Sequence, residues 1–362
     1  MRVHNFSAGP AQLPLPVLEQ ASAELTNWRG SGMSVLEVSH RGKDFTECAA
    51  DAEATIRRLA GVSDDYAVLF LAGGATGQFS AIPGNLTQRG DTIAYLNTGQ
   101  WSKKAIKEAT RQGLEVKVVA DEADSSYTTT PAPGSFTVPA EAKYLGYCAN
   151  ETIGGVAMPY VPTEEAAGVP IVADVSSMYL SRPIDVTNFG VIFGGAQKNL
   201  GPAGMDISII RRDLMGHARS DVPAIWDWQV MADNDSMLNT PPTFSIYLLG
   251  LILHWIEDEG GLEAMAQRND AKAARLYQAI DSSGFYNNPV EPGSRSAMNV
   301  PFTLADSSLD ADFLAGASAA GLVNLKGHRS VGGMRASIYN AMTDEGVSAL
   351  IDYMAEFERT RG

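Results

Sequence analysis

Short apolar runs alternate with segments of helical periodicity along most of this chain. Runs at 66–71, 92–97, 115–120, 143–148, 171–174, 191–193 and 206–210 have the length and apolar content of buried strands. Ahead of them, Val17, Leu18, Ala21, Leu25 and Trp28 fall on one helical face, with Pro16 near its start and Gly30 and Gly32 beyond its end. A second helix is predicted over 45–59, stopped by Gly61. Strands that alternate with helices imply an α/β fold, a mostly parallel sheet covered by helices. Ligands of such sheets gather at the carboxyl ends of the strands, where Gly73, Asn97, Asn150, Asp174 and Lys198 all fall.

The texture changes after an apolar helix at 244–256. A long amphipathic helix at 262–280 leads to a strand at 298–304, a helix at 310–320, a strand at 335–339 and a final helix. That last helix opens at Thr343, with Asp344 and Glu345 near the positive end of its dipole. These features predict a large domain over 16–256 and a smaller α/β domain over 257–362, joined by residues 1–15. Residues 125–139, rich in Ser, Thr and Pro, read as a loop.

A length of 362 residues suits two domains, and 45% hydrophobic residues can fill a large core. The formal charge of −15 argues against nucleic acid or an anionic membrane surface as partner. Cys48 and Cys148 are too few for a disulfide framework, which fits a reducing cytoplasm. Residues 1–14 lack the apolar core of a signal peptide, and the run at 244–256 suits a buried helix better than a membrane span. The expectation is a soluble, cytoplasmic protein.

The chemistry concentrates at two strand ends. The stretch VIFGGAQKNLGPAG (191–204) puts Lys198 just past an apolar run, and VPIVADVSS (169–177) ends in the same way with Asp174. One amine and one carboxylate so placed are what pyridoxal phosphate needs: a Schiff-base lysine, and an acid that keeps the pyridine nitrogen protonated. The same pair also fits a buried ion pair. GGATGQF (73–79) follows a strand and opens a helix, so its N–H groups suit an anion, although its spacing is neither that of a P-loop nor of a dinucleotide fingerprint. Trp101, at the start of the next helix, suits either a flat ring face or the core. The segment with Trp226 and Trp228 is too polar for plain core and too aromatic for a free linker.

The arginines speak to substrate. Two of the five histidines are each followed by arginine, His40–Arg41 and His328–Arg329, and the second pair precedes Arg335. Arginine forks bind carboxylate and phosphate bidentately, so these clusters suit small anionic substrates. Solvated surface charge is the alternative. His4, His217 and His254 are assigned no chemistry.

Taken together, NFSAGPAQLP (5–14), EVSHRGKDF (37–45), GGATGQF, NETIGG (150–155), ADVSS (173–177), GAQKNLGPAG (195–204), LNTPPT (238–243) and KGHRSVGGMRASIYNA (326–341) resemble the phosphoserine aminotransferases from end to end. These are class V members of the fold-type I pyridoxal-phosphate enzymes. The resemblance implies Lys198 as Schiff-base lysine and proton shuttle, Asp174 as pyridinium partner and Trp101 as stacking residue. It implies cofactor contacts from the Ala75 and Thr76 backbone, Thr152 and Gln197, and from Asn239 and Thr240 across a homodimer with shared sites. Arg335 would hold the substrate α-carboxylate, with His40, Arg41, His328 and Arg329 receiving a phosphate or the glutamate side chain. The implied reaction is a two-half transamination between glutamate and 3-phosphohydroxypyruvate.

Two positions depart from some relatives. Ala8 replaces a serine that touches substrate, so any contact there is through backbone, and Thr76 replaces an arginine, which makes the phosphate pocket less positive. The rival readings are another class V enzyme, such as an alanine–glyoxylate aminotransferase or a cysteine desulfurase, and a catalytically silent dimeric binding protein of the same fold.

Overall fold

In the computed structural model, which describes residues 2–362, the chain opens with β1 (His4–Asn5), α1 (Leu15–Glu24) and α2 (Lys43–Ala60). Then come β2 (Tyr66–Ala72), α3 (Gly74–Leu86), β3 (Thr92–Asn97), α4 (Gln100–Arg111), β4 (Glu115–Asp121) and β5 (Leu145–Cys148). A short hairpin, β6 (Asn150–Glu151) and β7 (Val156–Ala157), precedes α5 (Thr163–Ala166), β8 (Ile171–Asp174), β9 (Val191–Gly195) and β10 (Met205–Arg211). These strands, β1 and the hairpin apart, form one seven-stranded sheet in the order β2, β10, β9, β8, β5, β3, β4. Only β10 runs antiparallel to its neighbours. The sheet is therefore mostly parallel, as its unbroken apolar strands predict. Along β2, Val68 and Phe70 enter one apolar core while Ala67, Leu69 and Leu71 enter another on the opposite face.

The rest comprises α6 (Trp228–Ala232), α7 (Thr243–Asp258), α8 (Gly261–Asp281), β11 (Tyr286–Asn287), β12 (Asn299–Leu304), α9 (Asp310–Ala319), β13 (Leu322–Val323), β14 (Met334–Ser337) and α10 (Asp344–Arg361). Strands β11, β12 and β14 make a small antiparallel sheet. A separate core forms around Leu276, Phe302, Phe313, Ile338 and Leu350, and Phe6 joins it because β1 pairs in parallel with β13. Helix α8 spans two cores, with Leu262 and Met265 in one and Ala273 to Ile280 in the other. On its buried stripe sits Lys272, fully buried, whose ammonium donates to the carbonyls of Ile338 (3.3 Å), Tyr339 (2.9 Å) and Met342 (2.9 Å). Burial pulls this amine down to about 7.

Several predicted boundaries move. Helix α1 stops at Glu24, so Trp28 is not on its face; it starts a 3-10 turn in which Arg29 has φ 51°, and is buried all the same. Strand β5 starts at Leu145 and β14 ends at Ser337. The segment thought too polar for core buries Trp228 completely, with its indole N–H donating to Gln78 Oε1 at 3.3 Å. Its acidic residues flank the core, and Asp227 caps α6 by accepting from the Gln229 N–H (2.9 Å) and Val230 N–H (3.3 Å).

Candidate active site

Lys198 follows β9 in the turn that leads to β10. Its amine donates to Thr152 Oγ1 at 2.7 Å and lies 4.8 Å from the centre of the Trp101 ring. Burial pushes the amine below its ordinary value, opposed mainly by the charge of Asp174 and assisted by that of Arg335. A lysine less basic than usual has more of its free base, the nucleophilic form, at neutral pH. The N-terminal segment packs on this turn: the Ala11 N–H donates to the Gln197 carbonyl at 2.9 Å, and Gly9 lies against the Lys198 and Gln197 side chains.

Asp174 ends β8 and is buried. Its Oδ1 accepts from the Ser176 N–H (2.9 Å) and O–H (2.6 Å), which fixes the carboxyl group and leaves Oδ2 as the acceptor for a ligand N–H. Arg335, on β14, donates to the Thr152 carbonyl at 3.4 Å, so one residue of the β6–β7 turn receives both the lysine and the arginine.

Sequence reasoning missed Glu151. Its buried carboxylate accepts from the N–H groups of Trp101 (2.9 Å) and Ser102 (2.9 Å) and from the Ser102 O–H (2.8 Å), capping α4 and orienting Trp101. Burial raises its carboxyl, opposed by those bonds. A Cβ on Gly99 would come within 2.6 Å of Glu151 Cδ, so the glycine makes the approach possible. The clue in the sequence was a glycine directly before the helix, which has no single reading. Helix α3, by contrast, has no side-chain cap, and Ala75 and Thr76 lie in its first turn. Thr76 Oγ1 accepts from Lys104 at 3.1 Å, another residue not singled out beforehand.

Lys198, Asp174, Trp101, Thr152, Gln197 and Arg335 thus converge. The residues of the two His–Arg pairs and the 239–240 pair differ: Arg41, Arg329, Asn239 and Thr240 are exposed, and His40 and His328 are half-buried. Asn239 donates to the Thr240 carbonyl at 3.1 Å, while His328 Nδ1 bonds Ser330 Oγ at 2.7 Å and accepts from the Ser330 N–H at 3.2 Å. No hydrogen bond or ion pair among the described residues ties them to the Lys198 cluster.

Trp101 Nε1 and Arg335 Nε are buried donors without a partner among the described residues. Beside an amine of lowered basicity, a fixed carboxylate and the uncapped first turn of α3, they fit pyridoxal phosphate and a carboxylate substrate. Both cysteines are buried and free of any disulfide, Cys48 pushed up to about 11 by burial and Cys148 raised well above its usual range, the reverse of what a desulfurase nucleophile needs.

Comparison with known proteins agrees with this chemistry. The class-V aminotransferase family profile matches residues 3–350. The chain is 54% identical over 361 residues to the phosphoserine aminotransferase of Pseudomonas putida, covering 100% of this chain and 99% of the relative, and 54% identical to that of Azotobacter vinelandii over the same shares. Among solved structures, phosphoserine aminotransferase from Bacillus circulans subsp. alkalophilus superposes with a TM-score of 0.97 at 44% identity, over 100% of this chain and 99% of that one. The pyridoxal-phosphate-bound enzyme from Trichomonas vaginalis gives 0.91 at 44% identity, over 98% and 100%. An alanine–glyoxylate aminotransferase from Nostoc, 16% identical with a TM-score of 0.77, shares the fold alone. The chain belongs to the class-V aminotransferases, within the phosphoserine aminotransferase family, and its cofactor is pyridoxal phosphate.

Proposed function

We propose that this enzyme moves an amino group between L-glutamate and 3-phosphohydroxypyruvate, giving O-phospho-L-serine and 2-oxoglutarate in serine biosynthesis, and that the same site takes a related vitamin B6 pathway intermediate. The observation that carries the reading is the Lys198 amine, lowered in basicity and held between Thr152 and Trp101, in a chain 54% identical over its full length to a phosphoserine aminotransferase.

Bound pyridoxal phosphate supplies an electron sink for the substrate's Cα–H bond. The protein does the rest. Lys198 is the nucleophile that holds the cofactor and, once released, carries the α-proton. Asp174, fixed by Ser176, would accept the ring N–H at its free Oδ2 and so keep that nitrogen protonated. Trp101 would cover one ring face, Thr152 and Gln197 would position its substituents, and the Ala75 and Thr76 N–H groups would hold the phosphate at the α3 N-terminus. Arg335 anchors the α-carboxylate common to both substrates.

Asn239 and Thr240, exposed in one subunit, reach the cofactor phosphate of the neighbouring copy in a homodimer. Residues 16–256 form the cofactor-binding domain and 1–15 with 257–362 the small domain. Two cysteines free of any disulfide are in keeping with a cytoplasmic setting. Mixing an Asn239/Thr240 double variant with Lys198→Ala yields hybrid dimers that each hold one intact site, so activity returns upon mixing. Verified hybrids that stay inactive would show that each subunit works alone.

His40, Arg41, His328 and Arg329 form the distal anion pocket. Arg41→Ala or Arg329→Ala removes a charge-assisted bond worth about 1.5–3 kcal/mol, which lowers kcat/KM about tenfold to a hundredfold. The loss appears with glutamate as well as with the phosphorylated oxo acid, because both use one pocket in turn, and the cofactor spectrum stays unchanged. Unchanged kcat/KM for both substrates in both variants would make these pairs ordinary surface charge. The reading as a whole is tested by a coupled assay with glutamate and a panel of phosphorylated and unphosphorylated 2-oxo acids; preference for an unphosphorylated acid would overturn it.

A further inference from the structure

A chain of buried hydrogen bonds runs from the large sheet into the small domain. Asn150, just past β5, donates from Nδ2 to Ser177 Oγ (2.6 Å) and to Asn299 Oδ1 (2.8 Å), and the Ser177 O–H returns to the Asn150 carbonyl (2.7 Å). Asn299, on β12, donates from its own Nδ2 to Ser337 Oγ (3.0 Å) and to the Tyr339 oxygen (3.1 Å). Tyr339 in turn donates its O–H to the Ala8 carbonyl at 2.7 Å. All five side chains are buried.

Both ends of this chain adjoin the site. Thr152, two residues after Asn150, receives Lys198 and Arg335. Ser337 lies opposite Asn299 in the β12–β14 ladder and shares a strand face with Arg335 two residues away. Gly155 clamps the same turn to the small domain at φ +72°, where a Cβ would fall 2.3 Å from Pro301 Cδ. Apolar packing has no direction and tolerates sliding. Buried hydrogen bonds do not, because each one left unmade costs the desolvation of its groups.

We propose that Asn299 and Tyr339 are positioning residues for the transamination. Through Asn150 on one side and Ala8 on the other, they fix the small domain's Arg335 and the backbone of residue 8 relative to Lys198. With its carbonyl taken by Tyr339, Ala8 has its N–H to offer a substrate. The inference rests on the reading of Arg335 as the α-carboxylate anchor. A misplacement of about 1 Å in such an anchor is enough to cost on the order of a hundredfold.

Tyr339→Phe keeps the ring and removes only the hydroxyl, so it tests the idea with little threat to folding. The expected result is a rise of about tenfold in KM for glutamate and for the oxo acid, with kcat falling much less and the absorbance of bound pyridoxal phosphate unchanged. Because Tyr339 acts through Arg335, its effect shrinks in an Arg335→Lys background, giving a non-additive double-mutant cycle. Asn299→Ala, which breaks the chain at its centre, gives a larger loss of the same kind. Unchanged KM in Tyr339→Phe, with or without a loss of urea stability, or full additivity with Arg335→Lys, would reduce the network to a folding role and overturn the proposal. If the wild type rejects phosphorylated oxo acids while Tyr339→Phe still raises KM for glutamate, the substrate reading fails and the positioning role stands.

Discussion

Lys198→Ala removes turnover, by roughly 10⁴-fold or more, because it deletes both the nucleophile that holds the cofactor and the base that moves the α-proton. The visible absorbance of covalently held cofactor disappears with it. The fold survives: the amine makes one hydrogen bond, to Thr152, and burial already disfavours its charge, so little stabilisation is lost. Absorbance, single-turnover kinetics with glutamate and far-UV circular dichroism check the three statements. Full turnover in the variant would remove Lys198 from the chemistry.

The largest effect on stability is expected away from the cofactor. Lys272→Met leaves three buried carbonyls without their donor, and the cost, about 3 kcal/mol, exceeds the relief of no longer burying an amine. Urea titration reads this as a lower midpoint at similar slope. The pH dependence has a definite sign. Lys272 titrates near 7 when folded and near 10.4 when unfolded, so between these values the unfolded chain binds more protons and wild-type stability rises with pH. The difference between wild type and variant therefore widens from about pH 7 toward pH 10. A variant as stable as wild type throughout would show that other groups hold the 338–342 loop.

Lys198 and Asp174 were legible in the sequence because Asp174 ends an apolar strand and Lys198 lies just past another, and strand ends of a parallel sheet face one edge. The alternation of runs also carried the sheet and its helices. Trp228 stayed undecided because its polar neighbours argue against plain core, although one of them, Asp227, serves as a helix cap. Glu151, Lys272, Asn299 and Tyr339 were invisible for a different reason. Each is a polar residue buried with partners distant in sequence, as with Asn150 and Asn299, and no periodicity encodes such a pairing. The two His–Arg pairs were legible as arginine clusters and the resemblance added Asn239 and Thr240, but no hydrogen bond among the described residues of one subunit ties any of them to the Lys198 cluster. The class-V match sets aside the silent binding protein, and the likeness to an alanine–glyoxylate aminotransferase goes no further than fold.

The pairing of β1 with β13 bears on the order of synthesis. His4 leaves the ribosome long before its partner Leu322, and Ala8 long before Tyr339, which holds it. Domains generally fold as they are made, amino-terminal part first. The large sheet can therefore collapse on a growing chain while residues 4–11, of which Gly9 and Ala11 pack on the Lys198 turn, still wait for a place. Competence for catalysis thus arrives late, and a translation product that stops before Leu322 has its lysine but no finished pocket around it.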